Sequence, residues 1–109
     1  MDTDPRLTTQ TLGILALLLA EPDRPQYGLE LSAAAEIKSG VIYPALARLE
    51  RAGWLQSAWE EIDPSAAGRP RRRLYRLTAT GRGKATRALA EHAARLRFTP
   101  RWSSEPSAA

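Results

Sequence analysis

Ile42, Ala45, Leu46 and Leu49 recur at the i, i+3, i+4, i+7 spacing of one helix face, and the pattern stops at Gly53. Beyond that glycine the period changes. Trp54-Leu55-Gln56-Ser57-Ala58-Trp59-Glu60-Glu61 is rich in aromatic and strand-tolerant residues, Asp63 to Pro70 is loop chemistry, and Arg72 to Leu77 alternates as a return strand does. A helix closed by glycine and followed at once by a hairpin leaves few architectures open. Ser39 stands where an N-cap belongs, so the helix is predicted from Ser39 to about Ala52.

Upstream, Thr8 or Thr9 can cap a first helix that runs through Ala20 and ends before Pro22 and Pro25. Leu12, Leu15, Leu18 and Leu19 form its apolar face, and Ile14 and Leu17 widen that face until burial on two sides is expected. Tyr27 to Ala35 reads as a short second helix, joined to the third by the tight junction Glu36-Ile37-Lys38-Ser39. Thr78 caps a last helix from Ala79, with Ala85, Leu89, Ala93 and Leu96 on one face and Pro100 as its stop. The order is helix, helix, helix, hairpin, helix. This is a mainly α fold with a small β-hairpin: a winged helix-turn-helix unit over residues 8–78, a C-terminal helix over 79–99 and a loose tail over 100–109.

A chain of 109 residues with 43% apolar and 26% charged side chains fits one globular domain. Its charge is unevenly placed. Residues 1–68 carry five basic and ten acidic side chains, whereas residues 69–101 carry eleven basic side chains and only Glu91 as an acid. A chain polarised in this way can present one cationic face to a polyanion while its net charge stays at +4. Arginine outnumbers lysine fourteen to two, a bias that suits bidentate phosphate and guanine contacts and equally follows from GC-rich coding.

Other classes are excluded by what is missing. There is no cysteine for disulfides, thiolate metal sites or a cysteine nucleophile. The apolar run Ile14 to Ala20 is far short of the about 20 residues a bilayer span needs, so no membrane partner is expected. The segment Met1 to Pro5 is acidic, unlike a secretory signal, and a cytoplasmic location is expected. His92 is the only histidine, and beside Glu91, Ala93 and Ala94 it lacks the partners of a metal ligand or general base. Without a phosphate-binding glycine loop or a nucleophile elbow, the chain does not read as an enzyme, and no cofactor or metal is expected.

With Ile42, Leu46 and Leu49 turned inward, the third helix leaves Lys38, Ser39, Gly40, Tyr43, Pro44, Ala47, Arg48 and Arg51 outside. In a winged helix-turn-helix this face enters the major groove of double-stranded DNA. Pro44 lies within the helix and removes the bond to the Gly40 carbonyl, so it shapes this surface. An ordinary solvated helix has the same periodicity, and the hairpin is what distinguishes the two. Arg69, Arg71, Arg72, Arg73 and Arg76 fall within eight residues, and so many guanidinium groups repel one another unless anions lie nearby. Phosphates would supply those anions and make binding salt-dependent. Gly68-Arg69-Pro70 is also similar to the core of minor-groove hooks.

Two stretches carry a family resemblance. Ile42-Tyr43-Pro44-Ala45-Leu46-Ala47-Arg48-Leu49-Glu50-Arg51-Ala52-Gly53-Trp54-Leu55 resembles the third-helix signature of the PadR-like transcriptional regulators. Gly68-Arg69-Pro70 and Arg73-Leu74-Tyr75-Arg76-Leu77-Thr78-Ala79-Thr80-Gly81-Arg82 resemble that family's wing and the start of its last helix. The similarity runs from about Leu12 to Leu96, and a single C-terminal helix resembles the smaller subfamily. The chain departs from the family in having Gly28-Leu29-Glu30 where Gly-Tyr-Glu is common, with Tyr27 before the glycine. A short stretch between Gly28 and Tyr43 implies a trimmed second helix or turn.

The resemblance implies a homodimeric regulator, usually a repressor, on an inverted-repeat operator. It assigns Tyr43, Pro44 and the residues around Ser39 (Lys38 and Gly40) to DNA recognition, where Arg48 lies on the same outer face, and Arg69 to Arg73 to the wing contact. It assigns Leu89, Ala93 and Leu96 of the last helix, with Leu12 and Leu15 of the first, to the dimer interface. Such regulators often sense a small hydrophobic or aromatic effector, for which Phe98 and Trp102 are the candidates, although aromatics near a terminus also serve simply as anchors. Two other readings stay open at this stage: a winged-helix module that binds an acidic protein, and a non-specific architectural DNA-binding protein.

Overall fold

Thr8 Oγ1 accepts the Thr11 amide at 3.1 Å and so starts α1 (Thr9–Ala20) in the computed structural model, which describes residues 4–97. The chain continues through β1 (Gln26–Tyr27), α2 (Gly28–Ala35), α3 (Ser39–Arg51), β2 (Leu55–Trp59), the single turn α4 (Pro64–Ala67), β3 (Arg73–Leu77) and α5 (Ala79–Arg97). Phe98, Trp102 and the tail, to which an effector site and a loose terminus were assigned, lie outside the described residues.

Four local expectations change. Tyr27 belongs to a two-residue strand before α2 and caps that helix, with its amide donating to Glu30 Oε1 at 3.2 Å. The extended residue before α3 is Lys38, whose side chain makes no capping bond, and Ser39 is already helical. The wing loop holds a helical turn, because Asp63 Oδ1 accepts the Ser65 amide at 3.0 Å and Pro64 pre-sets the first turn. β1 also makes the hairpin a three-stranded antiparallel sheet in the order β1-β3-β2.

The two long strands pair Leu55 with Leu77, Ser57 with Tyr75 and Trp59 with Arg73, while β1 pairs Gln26 with Tyr75. One sheet face therefore begins apolar beside α3 and ends at Arg73 and Trp59. Gln26 is buried, and its Nε2 donates to the Leu17 carbonyl at 3.1 Å, which ties the edge strand to α1.

The core gathers Ile14, Leu15 and Leu18 of α1, Leu31 of α2, Ile42, Leu46 and Leu49 of α3, Trp54 and Leu55, Tyr75 and Leu77, and Ala85 of α5. Leu12 and Leu15 are 5% and 0% exposed within a single chain, so their area is already spent on that chain. This corrects their assignment to a dimer interface. The physical reason is that α1, apolar almost all round, packs against both α2 and α5 of its own chain.

Gly53 at φ 83° ends α3, and the Trp54 amide then returns to the Leu49 carbonyl at 2.9 Å. Thr78 Oγ1 donates to the Gly53 carbonyl at 2.6 Å and accepts the Gly81 amide at 2.8 Å. One hydroxyl thus locks the end of α3 to the start of α5. Gly81 sits hard against the Trp54 backbone, where an added Cβ would come within 2.6 Å of the Trp54 carbonyl carbon.

Candidate nucleic-acid interface

α3 turns Ile42, Ala45, Leu46 and Leu49 into the core and leaves Lys38, Ser39, Gly40, Tyr43, Pro44, Arg48 and Arg51 exposed, the division its sequence period predicts. Tyr43 is 42% exposed, and its ring lies over Gly28 at the start of α2. A Cβ on Gly28 would come within 2.8 Å of the Tyr43 hydroxyl oxygen, so the missing side chain sets where that tyrosine stands.

The five wing arginines do not act as one cluster. Arg69 donates from Nη1 to Glu60 Oε1 at 2.7 Å and from Nη2 to Oε2 at 3.0 Å, a fork on a half-buried carboxylate. Glu60 also accepts the Arg72 amide at 3.2 Å, and its own amide donates to the Arg72 carbonyl at 2.8 Å. Arg69, together with these backbone contacts, holds the Glu60 carboxyl down at about 2 against an ordinary 4.5. Arg71 Nε reaches the Ile62 carbonyl at 3.0 Å. Arg69 and Arg71 therefore brace the wing loop.

Arg72 lies 4.1 Å above the Tyr27 ring, and Arg73 lies 5.1 Å from the Trp59 ring while its Nε donates to Ser57 Oγ at 3.0 Å. Ser57 Oγ donates in turn to Glu50 Oε2 of α3 at 2.6 Å. A hydrogen-bonded chain thus links α3 to the wing arginine. Arg76 pairs with Gln56 on the opposite sheet face and lines a separate surface with Arg82 and Thr86.

Tyr43 of α3 and Arg69 to Arg73 of the wing nevertheless open onto one cleft, shared with Tyr27, Gly28, Leu29 and Trp59. Sequence reasoning missed Trp59, Glu60, Ser57 and Glu50. The available signal for Glu60 was an acid directly after the strand that faces the arginines, the anion that their mutual repulsion requires.

Elsewhere the surface is less committed. Leu96 is 71% exposed at the far end of α5, where Leu89 and Ala93 are only partly covered. His92 is half-buried on the same helix. No group of three or more acidic, histidine or cysteine side chains converges on a metal-sized site among the described residues, and no helix there is long and apolar enough to cross a membrane.

Solved structures share this arrangement. A point mutant of ZitR from Lactococcus lactis superposes with a TM-score of 0.65 at 20% identity, over 88% of this chain. The chain spans only 60% of that relative's length. A PadR family transcription regulator from Clostridium difficile R20291 gives 0.64 at 24% identity, over 77% of this chain and 86% of that one. The PcaV transcriptional regulator from Streptomyces coelicolor, solved with its natural ligand, gives 0.65 at 26% identity over 82% and 57%. Among curated proteins none matches in sequence. The sequence profile of the PadR-like transcriptional regulators matches residues 14–87, which contain the sheet, α3 and the start of α5. The chain belongs to the PadR-like family of transcriptional regulators, whose members bind DNA.

Proposed function

We propose that the protein is a homodimeric repressor that binds an inverted-repeat operator and is released by a small ligand. The observation that carries this reading is the shared cleft: Tyr43, on the exposed face of α3, and the wing residues Arg69 to Arg73 open onto it together. Residues 8–78 then form the DNA-binding unit and residues 79–99 the dimerisation element.

In this reading Ser39, Gly40, Tyr43, Pro44 and Arg48, with Lys38 at their head, face the base edges of the major groove. Gly40 and Pro44 are small at the approach, Tyr43 adds a hydroxyl, and Lys38 and Arg48 add charge. Arg71, Arg72 and Arg73 meet the phosphate backbone, and Arg69 holds the loop that carries them. Phosphate contacts position the domain and α3 reads sequence. Leu96, with Leu89 and Ala93, supplies the apolar surface for a second copy, which sets two recognition helices about 34 Å apart on successive major grooves.

A mobility-shift titration on the protein's own promoter region, with a scrambled duplex of equal length as control, tests this. The repressor reading expects the promoter to bind at least about a thousandfold more tightly at physiological salt. Equal affinity for both duplexes would sink it.

A further inference from the structure

Arg69 and Arg73 stand on the same wing and each is linked to a glutamate, but the two links differ in kind. Arg69 forks directly onto the Glu60 carboxylate, at 2.7 and 3.0 Å. Between Arg73 and Glu50 stands the Ser57 hydroxyl, which accepts from Arg73 Nε at 3.0 Å and donates to Glu50 Oε2 at 2.6 Å. Arg73 comes from β3, Ser57 from β2 and Glu50 from α3, and all are half-buried.

The direction of these bonds is fixed. A carboxylate only accepts and a guanidinium only donates, so one arrangement of the hydroxyl satisfies both. The bond engages Nε of Arg73 and not its two Nη groups, a fork of parallel donors suited to a phosphate. Tyr75 stands opposite Ser57 on the paired strands and reports both charges. Burial first, and then Glu50, pushes its hydroxyl above the ordinary value of 10, while Arg73 pulls it down. Both charges act on one partly dry spot, where a direct contact between them would hold.

We propose that Ser57 is a positioning residue, whose hydroxyl holds Arg73 off Glu50 and so keeps that guanidinium available to a phosphate of the duplex. Without the hydroxyl the two side chains meet as Arg69 and Glu60 do, and the cation turns back onto α3. The proposal deepens the DNA-binding reading of the wing and rests on it. Arg69 is a brace and Arg73 a contact because a serine stands between Arg73 and its glutamate and nothing stands between Arg69 and Glu60.

Titrations of promoter and scrambled duplex over a series of salt concentrations test it, with S57A, S57T and the double variant S57A/E50Q. S57A should lower the slope of log affinity against log salt by about 1, as loss of Arg73 itself would, and weaken both duplexes by a similar factor. S57T keeps the hydroxyl and should keep the wild-type slope. In S57A/E50Q no carboxylate is left to capture Arg73, so the slope should return to the wild-type value although the hydroxyl is gone. A serine that only supports the fold behaves otherwise: S57A then lowers the melting midpoint and leaves the slope, and E50Q adds a second loss instead of a rescue. An unchanged slope in S57A, or a slope that E50Q does not restore, would overturn the proposal. Phosphate contacts are blind to sequence, so equal binding of both duplexes removes the repressor reading and still lets the slopes decide the role of Ser57. Specific promoter binding with a wild-type slope in S57A removes that role alone, and no duplex binding by the wild type removes both.

Discussion

The guanidinium of Arg69 holds both carboxylate oxygens of Glu60, at 2.7 and 3.0 Å, across the base of the wing loop. This pair settles how a run of arginines folds without repelling itself apart, and it separates the wing's structural cations from its available ones. The depressed Glu60 value fixes the sign of its pH dependence. Its contribution to stability is fully present above pH 4.5 and is lost as the pH falls toward about 2. E60Q should therefore melt below the wild type at pH 7, with the gap narrowing between pH 4.5 and 2. Thermal denaturation across that range checks it, and a gap that stays constant down to pH 2 refutes it.

Arg69 and Arg72 should differ in kind when replaced. R72A removes a cation that stacks on Tyr27 rather than forking onto Glu60 as Arg69 does, so the slope of log affinity against log salt should fall by about 1. R69A removes a cation already paired with Glu60, so it should lower the melting midpoint and leave that slope unchanged. Duplex titrations over a series of salt concentrations read the slope. Equal slope losses in both variants would show that the ion pair opens on DNA.

Gly28 and Gly81 both stand at close approaches, against unlike neighbours. In G81A the new Cβ meets the Trp54 backbone, which cannot give way without moving the end of α3, so the loss should be about 3 kcal/mol. In G28A it meets the Tyr43 ring, which can swing into the open cleft. Stability should then change by less than about 1 kcal/mol while operator affinity falls about fivefold. Urea unfolding of both variants, with G28A also titrated on duplex, checks the contrast.

The elements with strong period or punctuation were legible in the sequence. Thr8, Gly53 and Thr78 mark helix ends by chemistry that acts within a few residues, and each acts where it was expected. β1 was not legible, because two residues after Pro25 carry no period and exist as a strand only through pairing with Tyr75 and Leu74. The fate of Leu12 and Leu15 depended on which neighbour covers α1, and its uniform apolarity does not say whether that neighbour is the same chain. The wing arginines were visible as charge, but Glu60 stands nine residues before Arg69 and strand pairing alone brings them together. Alternation across β3 likewise sends Arg73 and Arg76 to opposite faces.

Leu96 and Leu15 provide the last contrast, since both were expected at the dimer interface and their exposures are 71% and 0%. An exposed leucine on a helix that extends past the core costs little in the monomer, so a charge there should disturb association alone. If the proposed homodimer forms through this surface, L96D should keep the helical circular-dichroism signal and sediment as a monomer at concentrations where the wild type sediments as a dimer. Its operator affinity should fall by at least about a hundredfold, because half-sites bound singly lose the second domain's effective concentration. L15A should instead unfold at lower urea, with a loss of about 3 kcal/mol from a cavity in the core. Sedimentation velocity and urea titration on the two variants separate these outcomes. A dimeric L96D would place the interface elsewhere on the chain.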